Sequence, residues 1–585
     1  MRLSGAEILV RTLIEQGVDT IFGYPGGSVL PIYDALYDHR DELAHYLTAH
    51  EQGAAHAADG YARATGKTGV VLATSGPGST NLVTGIATAF MDSIPLVVIT
   101  GNVGTSFIGK DSFQEVYTVG ITLPITKHSF AVQDVTELAS TLREAFYIAA
   151  SGRKGPVLVD ITKDAQAAWC EWEPVVEAAA TVPVIAKSSV MQATELSPLW
   201  LGQAAQFTPE DIELMLAGIA ASSRPLIVFG GGIISANASG ELNDFIHTTQ
   251  IPAVHSMMGI GVLDVDDPLN IGLIGMHGKA SGNRALAEAD LVIALAFRFS
   301  DRVVLNTGAW ASKARIIQVD IDKSEVDKNI QVDQAVIGDV RDVLRALLHR
   351  LKAENIFSAS NVSAWNTQIS EWRAGDYRPE NDETRLKPHQ VIETIADLAG
   401  EEAIFTTDVG QHQMWAAQYG RRGRPRSFLS SGGLGAMGYG YGAAIGAQIG
   451  AAGGSQRKRP VIHITGDGSF HMNLNEACTV VSYHLPIITV ILNNKVLGMV
   501  RQWQKAFYDA RYSASTLDRV TDFTKVAEGF GLLGMRTATM EEFRDAFSKA
   551  LVIDGPVWIE CLIDCDEQVV PMIPSGGTLD DVISD

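Results

Sequence analysis

One stretch, residues 459–500, constrains the fold of this chain more than any other. Two runs of apolar residues, at 461–465 and 486–492, predict buried strands. The residues between them, at 474–483, predict a crossover helix. Strands joined in this way lie parallel in one sheet. Because Asp467 follows the first strand and Asn494 follows the second, we expect both side chains at the carboxyl edge of the sheet, where open α/β sheets bind ligands.

The residues at this edge suit a magnesium ion and a diphosphate. Asp467 offers a carboxylate oxygen, Asn494 an amide oxygen, and Val496 a backbone carbonyl just beyond. Mg²⁺ prefers such hard oxygen ligands and completes its shell with water and phosphate oxygens. Gly466 and Gly468 let a diphosphate approach the backbone N–H groups. Each half alone is more typical of an ordinary turn, but the two halves together after apolar strands predict a binding site.

The same alternation of apolar strands and helices recurs along the chain. With 585 residues, the chain is too long for one hydrophobic core. The alternation predicts an α/β protein with three doubly wound parallel-sheet domains. We expect these domains at 1–165, 190–350 and 388–565, followed by a C-terminal tail at 566–585. In the first domain, strands are expected at 20–22, 69–73, 95–100 and 156–159, with helices at 53–65 and 81–91 and an amphipathic helix opening the chain.

Composition excludes several classes of function. The formal charge, 45 − 67 = −22, argues against a protein that binds nucleic acid through a basic face. The four cysteines form no CxxC pair, which favours a reducing compartment. The sequence has neither a signal-peptide pattern nor an apolar run long enough for a membrane span. These features predict a cytoplasmic protein without a membrane partner.

A second glycine-rich motif suggests a different ligand, a dinucleotide. Gly433, Gly435 and Gly438 form a GxGxxG pattern between a predicted strand and a helix. A dinucleotide site of this kind needs an acidic residue about 20 positions further on. No Asp or Glu lies between Gly438 and Asp467, so a nicotinamide site is not expected here.

GDGS followed by NN at this spacing resembles the thiamine-diphosphate motif of the pyruvate-decarboxylase-like superfamily. The resemblance implies that Asp467, Asn494 and the Val496 carbonyl hold Mg²⁺, and the metal the diphosphate. HEQGAAHAADGYARATGK matches the segment that carries this superfamily's catalytic Glu, here Glu51, although an isolated Glu would more simply favour a helix N-terminus. SGPGSTN (75–81) matches its companion loop, and Met437 the apolar wedge that bends the cofactor.

The resemblance also implies an oligomer. In this superfamily the Glu lies on one subunit and the diphosphate site on another, so a homodimer or homotetramer is expected. The Glu hydrogen-bonds the aminopyrimidine ring, which then removes the proton from C2 of the thiazolium, a form of acid–base catalysis relayed through the cofactor.

Further stretches resemble one branch of the superfamily, acetohydroxyacid synthase (acetolactate synthase). They include GVDTIFGYPGGSVLPIYDAL, GLIGMHG and LGMVRQWQ, and the resemblance covers nearly the whole chain. This family condenses pyruvate with pyruvate or 2-oxobutanoate for branched-chain amino acid biosynthesis and binds FAD in its middle domain. A separate regulatory small subunit is compatible with the sequence. The chain departs from the family's usual residues at Ala49, Lys110, Thr162 and Ser300.

Matched residue by residue, the resemblance assigns roles throughout the chain. Catalytic roles fall on Glu51, Gln114, Lys163 and Arg298. Phe113 and Trp503 are expected at the substrate, with Met499 beside them. Contacts to thiamine diphosphate are expected at Gly26, Gly76, Gly410, Gln411, His412, Gly435, Met437, Gly466, Gly468, Ser469 and Met499. Contacts to FAD are expected at Gly230, Gly231, Gly232, His277, Gly278, Asp320 and Asp339.

Two alternatives stay open at this level. The first is another thiamine-diphosphate-dependent 2-oxo acid decarboxylase, oxidase or carboligase. The second is a non-enzymatic paralogue that serves as a scaffold, against which the presence of Glu51, Asp467 and Asn494 counts.

Overall fold

A computed structural model describes residues 1–175, 207–354, 359–452 and 459–584. These residues form three six-stranded parallel sheets flanked by helices, which confirms the predicted fold class. The expected start of the central domain at residue 190, and residues 453–458 of a loop at 451–459 that looks longer than is usual in the family, lie outside the described residues. Within the described ranges, no helix has the length and apolar character that a membrane span requires.

The N-terminal sheet has apolar central strands, as its runs of Val, Leu and Ile predict. Its strands are β2 (Thr20–Tyr24), β3 (Ala44–Leu47), β4 (Gly69–Ala73), β5 (Leu96–Asn102), β6 (His128–Val132) and β7 (Pro156–Thr162), and a separate two-stranded sheet is formed by β1 (Arg2–Ser4) and β8 (Trp169–Glu171). The helices are α1 (Gly5–Glu15), α2 (Leu30–Asp38), α3 (Glu51–Thr65), α4 (Pro77–Asn81), α5 (Val83–Asp92), α6 (Thr118–Thr122), α7 (Val135–Ala150) and α8 (Lys163–Ala167). The strand order is β3-β2-β4-β5-β7-β6.

Three local expectations for this part of the chain are corrected. A strand, β1, precedes the expected first helix, because Arg2–Ser4 pairs antiparallel with Trp169–Glu171. Helix α3 begins at Glu51, two residues earlier than expected, because the His50 ring accepts the N–H of Gln52 and caps the helix. The helix expected at 81–91 is divided into α4 and α5 around Leu82.

The middle sheet is built in the same way, with strand order β11-β10-β9-β12-β13-β14. Its strands are β9 (Pro225–Phe229), β10 (Ala253–His255), β11 (Asn270–Leu273), β12 (Leu291–Leu295), β13 (Arg315–Asp320) and β14 (Gln334–Ile337). Its helices are α9 (Pro209–Ala221), α10 (Gly232–Ser235), α11 (Ser239–Thr249), α12 (Ala280–Glu288), α13 (Val340–Glu354) and α14 (Ser363–Ala374).

The C-terminal sheet has strand order β16-β15-β17-β18-β20-β19. Its strands are β15 (Ile404–Thr407), β16 (Phe428–Ser430), β17 (Val461–Gly466), β18 (Ile487–Asn493), β19 (Leu533–Thr537) and β20 (Val557–Leu562). Its helices are α15 (Pro388–Ala399), α16 (Gln411–Tyr419), α17 (Tyr439–Gly450), α18 (Asp467–Asn473), α19 (Ala477–Ser482), α20 (Gly498–Phe507), α21 (Phe523–Phe530) and α22 (Met540–Val552). The single crossover helix expected at 474–483 is replaced by α18, a 3₁₀ turn at Leu474–Glu476 and α19.

Contacts between the sheets place their carboxyl edges around a shared space. Helices α3 and α17 cross at close range, since a Cβ on Gly446 would lie 1.9 Å from the carbonyl oxygen of Ala57. The C-terminal tail crosses to the middle sheet, where the N–H of Ile573 donates to the Met276 carbonyl at 2.8 Å. The tail, for which the sequence shows little periodicity, is therefore attached to the middle part of the chain by a backbone hydrogen bond.

Candidate functional site

A cavity of about 1140 Å³ lies where the three sheets meet. Its walls include Asp92 from the N-terminal part, Asp320 from the middle part and Asp467 from the C-terminal part. A cavity of this size at the carboxyl ends of parallel strands is the usual location of a ligand site in α/β proteins.

Asp467 and Asn494 lie beside each other at the C-terminal wall. Strands β17 and β18 are neighbours with Gly466 opposite Leu492, so both residues leave the sheet at one edge. The carboxylate of Asp467 accepts the backbone N–H groups of Asn494 and Gly468, while burial raises its pKa to about 6. Asn494 Oδ1 accepts the N–H of Val496 at 3.2 Å. A carboxylate, an amide oxygen and a buried backbone carbonyl in this order are a donor set that Mg²⁺ prefers.

The wall beside this pair contains two glycines and carries an unpaired nitrogen. A Cβ on Gly466 would lie 2.9 Å from His412 Nδ1, and one on Gly468 would lie 2.9 Å from a Leu497 methyl carbon. His412 Nε2 is buried without a hydrogen-bond partner in the described structure, and burial lowers the pKa of His412 to about 4. A glycine-lined cradle with one unsatisfied ring nitrogen fits a phosphorylated ligand that would satisfy it.

Six more of the residues expected at thiamine diphosphate also line this wall. They are Gly410, Gln411, Gly435, Met437, Ser469 and Met499. Gln411 accepts from Asn494 Nδ2 at 3.3 Å and donates to the carbonyl of Glu567 in the tail at 2.8 Å. The Met437 methyl carbon lies 4.0 Å from the position of a Cβ on Gly468, so Met437 faces the cradle. Trp503, expected at the substrate, borders the same cavity.

A buried polar cluster, which the sequence does not reveal, supports the cradle from behind. Asp408 accepts Thr465 Oγ1 at 2.6 Å, the Gly440 N–H at 2.6 Å and His463 Nε2 at 3.3 Å. Burial opposes ionisation of Asp408, but the hydrogen bonds from His463 and Thr465 hold its pKa at about 2. The only signal in the sequence is its position directly after an apolar strand.

Residues expected at a flavin form the middle wall, with one exception. Gly230, Gly231, Gly232, Asp320 and Asp339 line the cavity together with Arg298 and His277. Burial raises the pKa of Asp320 to about 7, and His277 Nδ1 is buried without a partner in the described structure. Gly278 does not border the cavity. A Cβ there would lie 2.4 Å from the Ile274 Cα, so this glycine serves packing.

Glu51 belongs to a separate group on the N-terminal sheet. Its Oε2 accepts Asn81 Nδ2 at 3.0 Å, and a Cβ on Gly78 would lie 3.4 Å from its Oε1. A Cβ on Gly26 would meet Thr74 at 2.5 Å, and one on Gly76 would meet the Gln114 backbone at 2.8 Å. Glu51, Gly26, Gly76 and Gln114 form what we call the N-terminal cluster. None of them lines the cavity of this chain, nor do the exposed residues Phe113 and Lys163.

Asn81 is a site residue to which sequence reasoning assigns no role. It stands at the end of the SGPGSTN segment, and only the fold brings it against Glu51. The signal in the sequence is the SGPGSTN segment itself. A polar residue at the end of a glycine-rich segment that follows a strand is well placed to contact the start of a neighbouring helix.

Models of protein families match all three parts of the chain. Residues 3–121 match the N-terminal TPP binding domain of thiamine pyrophosphate enzymes, residues 212–347 the central domain, and residues 408–561 the C-terminal TPP binding domain.

Curated relatives extend over nearly the full length. A probable acetolactate synthase large subunit of Methanocaldococcus jannaschii is 41% identical over 99% of this chain and 95% of its own. The acetolactate synthase isozyme 3 large subunit of Escherichia coli is 40% identical over 99% and 98%. An acetolactate synthase large subunit of Cyanidium caldarium is 42% identical over 98% and 95%. The chain therefore belongs to the acetolactate synthase large-subunit family of thiamine pyrophosphate enzymes.

Proposed function

We propose that this protein is an acetolactate synthase. It decarboxylates pyruvate and joins the remaining two-carbon fragment to a second pyruvate, giving 2-acetolactate, or to 2-oxobutanoate, giving 2-aceto-2-hydroxybutanoate. Both products belong to branched-chain amino acid biosynthesis. The observation that carries the proposal is the pairing of Asp467 and Asn494 beside a glycine cradle, in a chain about 40% identical to acetolactate synthases over its full length.

Thiamine diphosphate and Mg²⁺ fit the C-terminal wall. Asp467, Asn494 and the Val496 carbonyl would hold the metal, and His412 Nε2 would find in the diphosphate the partner that it lacks. We assign diphosphate and metal binding to residues 388–565 and pyrimidine binding to residues 1–165. When bound, the cofactor supplies a nucleophilic carbon and a sink for the electrons released as CO₂ leaves.

FAD fits the middle wall, which we assign to residues 190–350. The three consecutive glycines at 230–232 keep side chains away from the cavity, and Asp320 and His277 are buried there, with His277 Nδ1 lacking a hydrogen-bond partner among the described residues. Asp339 borders the same space. Unsatisfied buried polar groups of this kind are expected where a polar ligand completes the structure.

The complete site requires a second copy of the chain. Glu51 is the group proposed to hold a proton at the aminopyrimidine nitrogen, yet it does not line the cavity that contains Asp467 in its own chain. Exposed apolar side chains stand beside and after Gln114, which belongs to the same cluster as Glu51: Phe113 (88% exposed), Tyr117 and Leu123. Such a group is typical of an interaction site. We therefore propose a homodimer, or a homotetramer built from it, in which Glu51 of each copy completes the cavity of the other.

The substrate carboxylates are assigned to the remaining polar residues. The Arg298 guanidinium lines the cavity and donates one N–H to the Met91 carbonyl at 2.6 Å, which leaves its other donors for a carboxylate. Trp503 would form an apolar wall for the acceptor. Gln114, Phe113 and Lys163 would reach the site from the second copy. A regulatory small subunit and a cytoplasmic location stay predictions.

A product assay tests the proposal. Purified protein is incubated with thiamine diphosphate, Mg²⁺, FAD and pyruvate, with and without 2-oxobutanoate, and the products are identified. We expect 2-acetolactate, and 2-aceto-2-hydroxybutanoate when both acids are present. Acetaldehyde or acetate alone would instead place the protein among the decarboxylases or oxidases, and cofactor binding without turnover of either acid would favour a scaffold.

A further inference from the structure

The loop between β16 and α17, residues 432–438, enters the cavity from the C-terminal sheet and carries Gly435 and Met437. We call it the glycine loop. Its far end is tied to its own sheet, because Asn473 Nδ2 donates to the Gly438 carbonyl at 2.6 Å and Ser431 Oγ accepts the Ala436 N–H at 3.0 Å.

The near end of the loop is held by the N-terminal sheet instead. Asp92, the last residue of α5, accepts the Gly433 N–H on Oδ1 at 2.7 Å and the Gly432 N–H on Oδ2 at 3.1 Å. The Asp92 side chain is fully buried. One carboxylate thus accepts hydrogen bonds from two consecutive backbone N–H groups, and charge-assisted bonds of this kind are stronger than neutral ones. Together they fix both the position and the orientation of this end of the loop.

A buried cation keeps Asp92 in place. Arg63 Nη2 donates to Asp92 Oδ2 at 2.9 Å, while Arg63 Nε donates to Asp59 Oδ1 at 2.6 Å. The same guanidinium donates to the Ser430 carbonyl at 3.0 Å, and Tyr439 OH donates to Asp59 at 2.6 Å. Ser430 and Tyr439 flank the glycine loop, so this ion cluster holds both sides of it.

The glycine loop packs tightly against the end of α5 at Gly433. A Cβ on Gly433 would lie 2.8 Å from Asp92 Oδ1 and 2.9 Å from the Met91 carbonyl oxygen. Gly435 and Gly438 have φ values of +72° and +84°, so the loop depends on backbone conformations that favour glycine. Residues 432 and 433 belong to the same short loop as Met437, which faces the position of a Cβ on Gly468.

We infer that Asp92 is a positioning residue, which holds the glycine loop and with it Met437 in the geometry that the bound cofactor requires. The role of Met437 in this inference rests on the proposed function. The hydrogen bonds between Asp92 and the glycine loop, in contrast, are formed by the protein alone. Arg298 donates to the carbonyl of Met91, the residue before Asp92, so this helix end also contacts the middle wall.

The test compares Asp92→Asn with a matched variant, Asp290→Asn. Asp290 also accepts the N–H groups of two consecutive residues, Ser223 at 3.0 Å and Arg224 at 3.0 Å, but it does not border the cavity. In both variants an amide NH₂ group replaces one acceptor oxygen, so a backbone N–H donor faces another donor instead of an acceptor. The two variants therefore share the loss of a pair of backbone hydrogen bonds, whereas only Asp92→Asn also removes the charge that faces Arg63.

Three quantities are measured: deuterium uptake by residues 428–439 in the protein without ligands, exchange of the C2 hydrogen of bound thiamine diphosphate with D₂O, and the Mg²⁺ concentration needed for cofactor binding. For Asp92→Asn we expect faster uptake and C2 exchange slowed about tenfold or more, since small misplacements near reacting groups have effects of this size. The Mg²⁺ requirement should change less than about twofold, because Asp467 and Asn494 follow β17 and β18 and do not belong to the glycine loop. Asp290→Asn should change none of the three.

Deuterium uptake in Asp92→Asn equal to that of the wild type would overturn the hold on the loop, whether or not the wild type binds thiamine diphosphate. Faster uptake with unchanged C2 exchange would overturn the positioning role. A wild type that does not bind the cofactor would instead contradict the proposed function. If Asp92→Asn does not fold, Gly433→Ala displaces the loop from Asp92 without uncovering the buried charge of Arg63, and the same changes are expected.

Discussion

Asn81 donates to Oε2 of the Glu51 carboxylate, and within the described residues no side chain or backbone N–H is bonded to Oε1. The carboxylate therefore has a fixed orientation before any ligand arrives, and preorganisation of this kind avoids reorganisation during catalysis. The sequence identifies Glu51 through its motif. It does not identify the Asn81 contact, because the two residues are brought together by packing between a loop and the start of a helix.

Replacement of Asn81 by Ala should lower kcat about tenfold or more, because a hydrogen bond to a charged group contributes roughly 1.5–3 kcal/mol. The affinity for thiamine diphosphate and the melting temperature should change little. Thr80→Ala is the matched control, since Thr80 is exposed in the same short helix, α4, and its side chain bonds only the Pro77 carbonyl in the described structure. Equal kcat values for the two variants would show that Asn81 does not orient Glu51.

Asp467→Asn should weaken the metal site. The substitution keeps the shape of the side chain but removes the negative charge that an Mg²⁺ ligand supplies, so we expect at least a tenfold higher Mg²⁺ requirement for cofactor binding. A titration of Mg²⁺ at fixed thiamine diphosphate measures it. Asp518→Asn, an exposed carboxylate in the same domain, should leave the titration unchanged. A normal titration for Asp467→Asn would place the metal elsewhere.

At the scale of elements, local patterns predict the strands better than the connections between them. Strand β4 has the expected bounds because an apolar run lies between residues that end strands. The helix at Asp467 was not expected, since Gly-Asp-Gly-Ser is typical of a turn and a turn shares its backbone conformation with the first turn of a helix. Pairing of β1 with β8 joins residues far apart in sequence, which no local pattern reports.

The crossing of α3 and α17 depends on small residues. A Cβ on Gly446 would lie 1.9 Å from the Ala57 carbonyl oxygen, and one on Gly60 would lie 2.3 Å from that of Ala443. The crossing joins the N-terminal and C-terminal sheets of one chain, so it fixes the position of Glu51 relative to its own C-terminal domain.

Gly446→Ala should therefore destabilise the protein by about 1–3 kcal/mol or more, the usual effect of overpacking a tight contact. Gly240→Ala is the control, because Gly240 also lies in a helix, α11, but a Cβ there meets nothing within 4 Å. There the change from Gly to Ala should be neutral or stabilising by about 0.5–1 kcal/mol. Chemical denaturation measures both variants. Similar unfolding free energies for the two would mean that the helices can separate without cost.

At the scale of the whole molecule, the two halves of the proposed site face different ways within one chain. Asp467 and Asn494 line the cavity, whereas Glu51 does not. Sequence reasoning reaches both halves through their motifs. That the two halves lie apart within one chain is predicted only through the resemblance to a family, because their relative positions depend on how the sheets pack.

This separation leads to a prediction about mixed oligomers. Glu51→Gln and Asp467→Asn should each be nearly inactive alone, since each removes one half of every site. When the two variants are produced together and mix freely, half of the dimers contain one of each chain, and one of their two sites is intact. We therefore expect about a quarter of the wild-type activity. Asp467→Asn mixed with Asn494→Ala should remain inactive, because both changes affect the same half. Restoration only in the first mixture would establish a site shared between chains, whereas inactivity of both mixtures would mean that Glu51 acts on the cavity of its own chain.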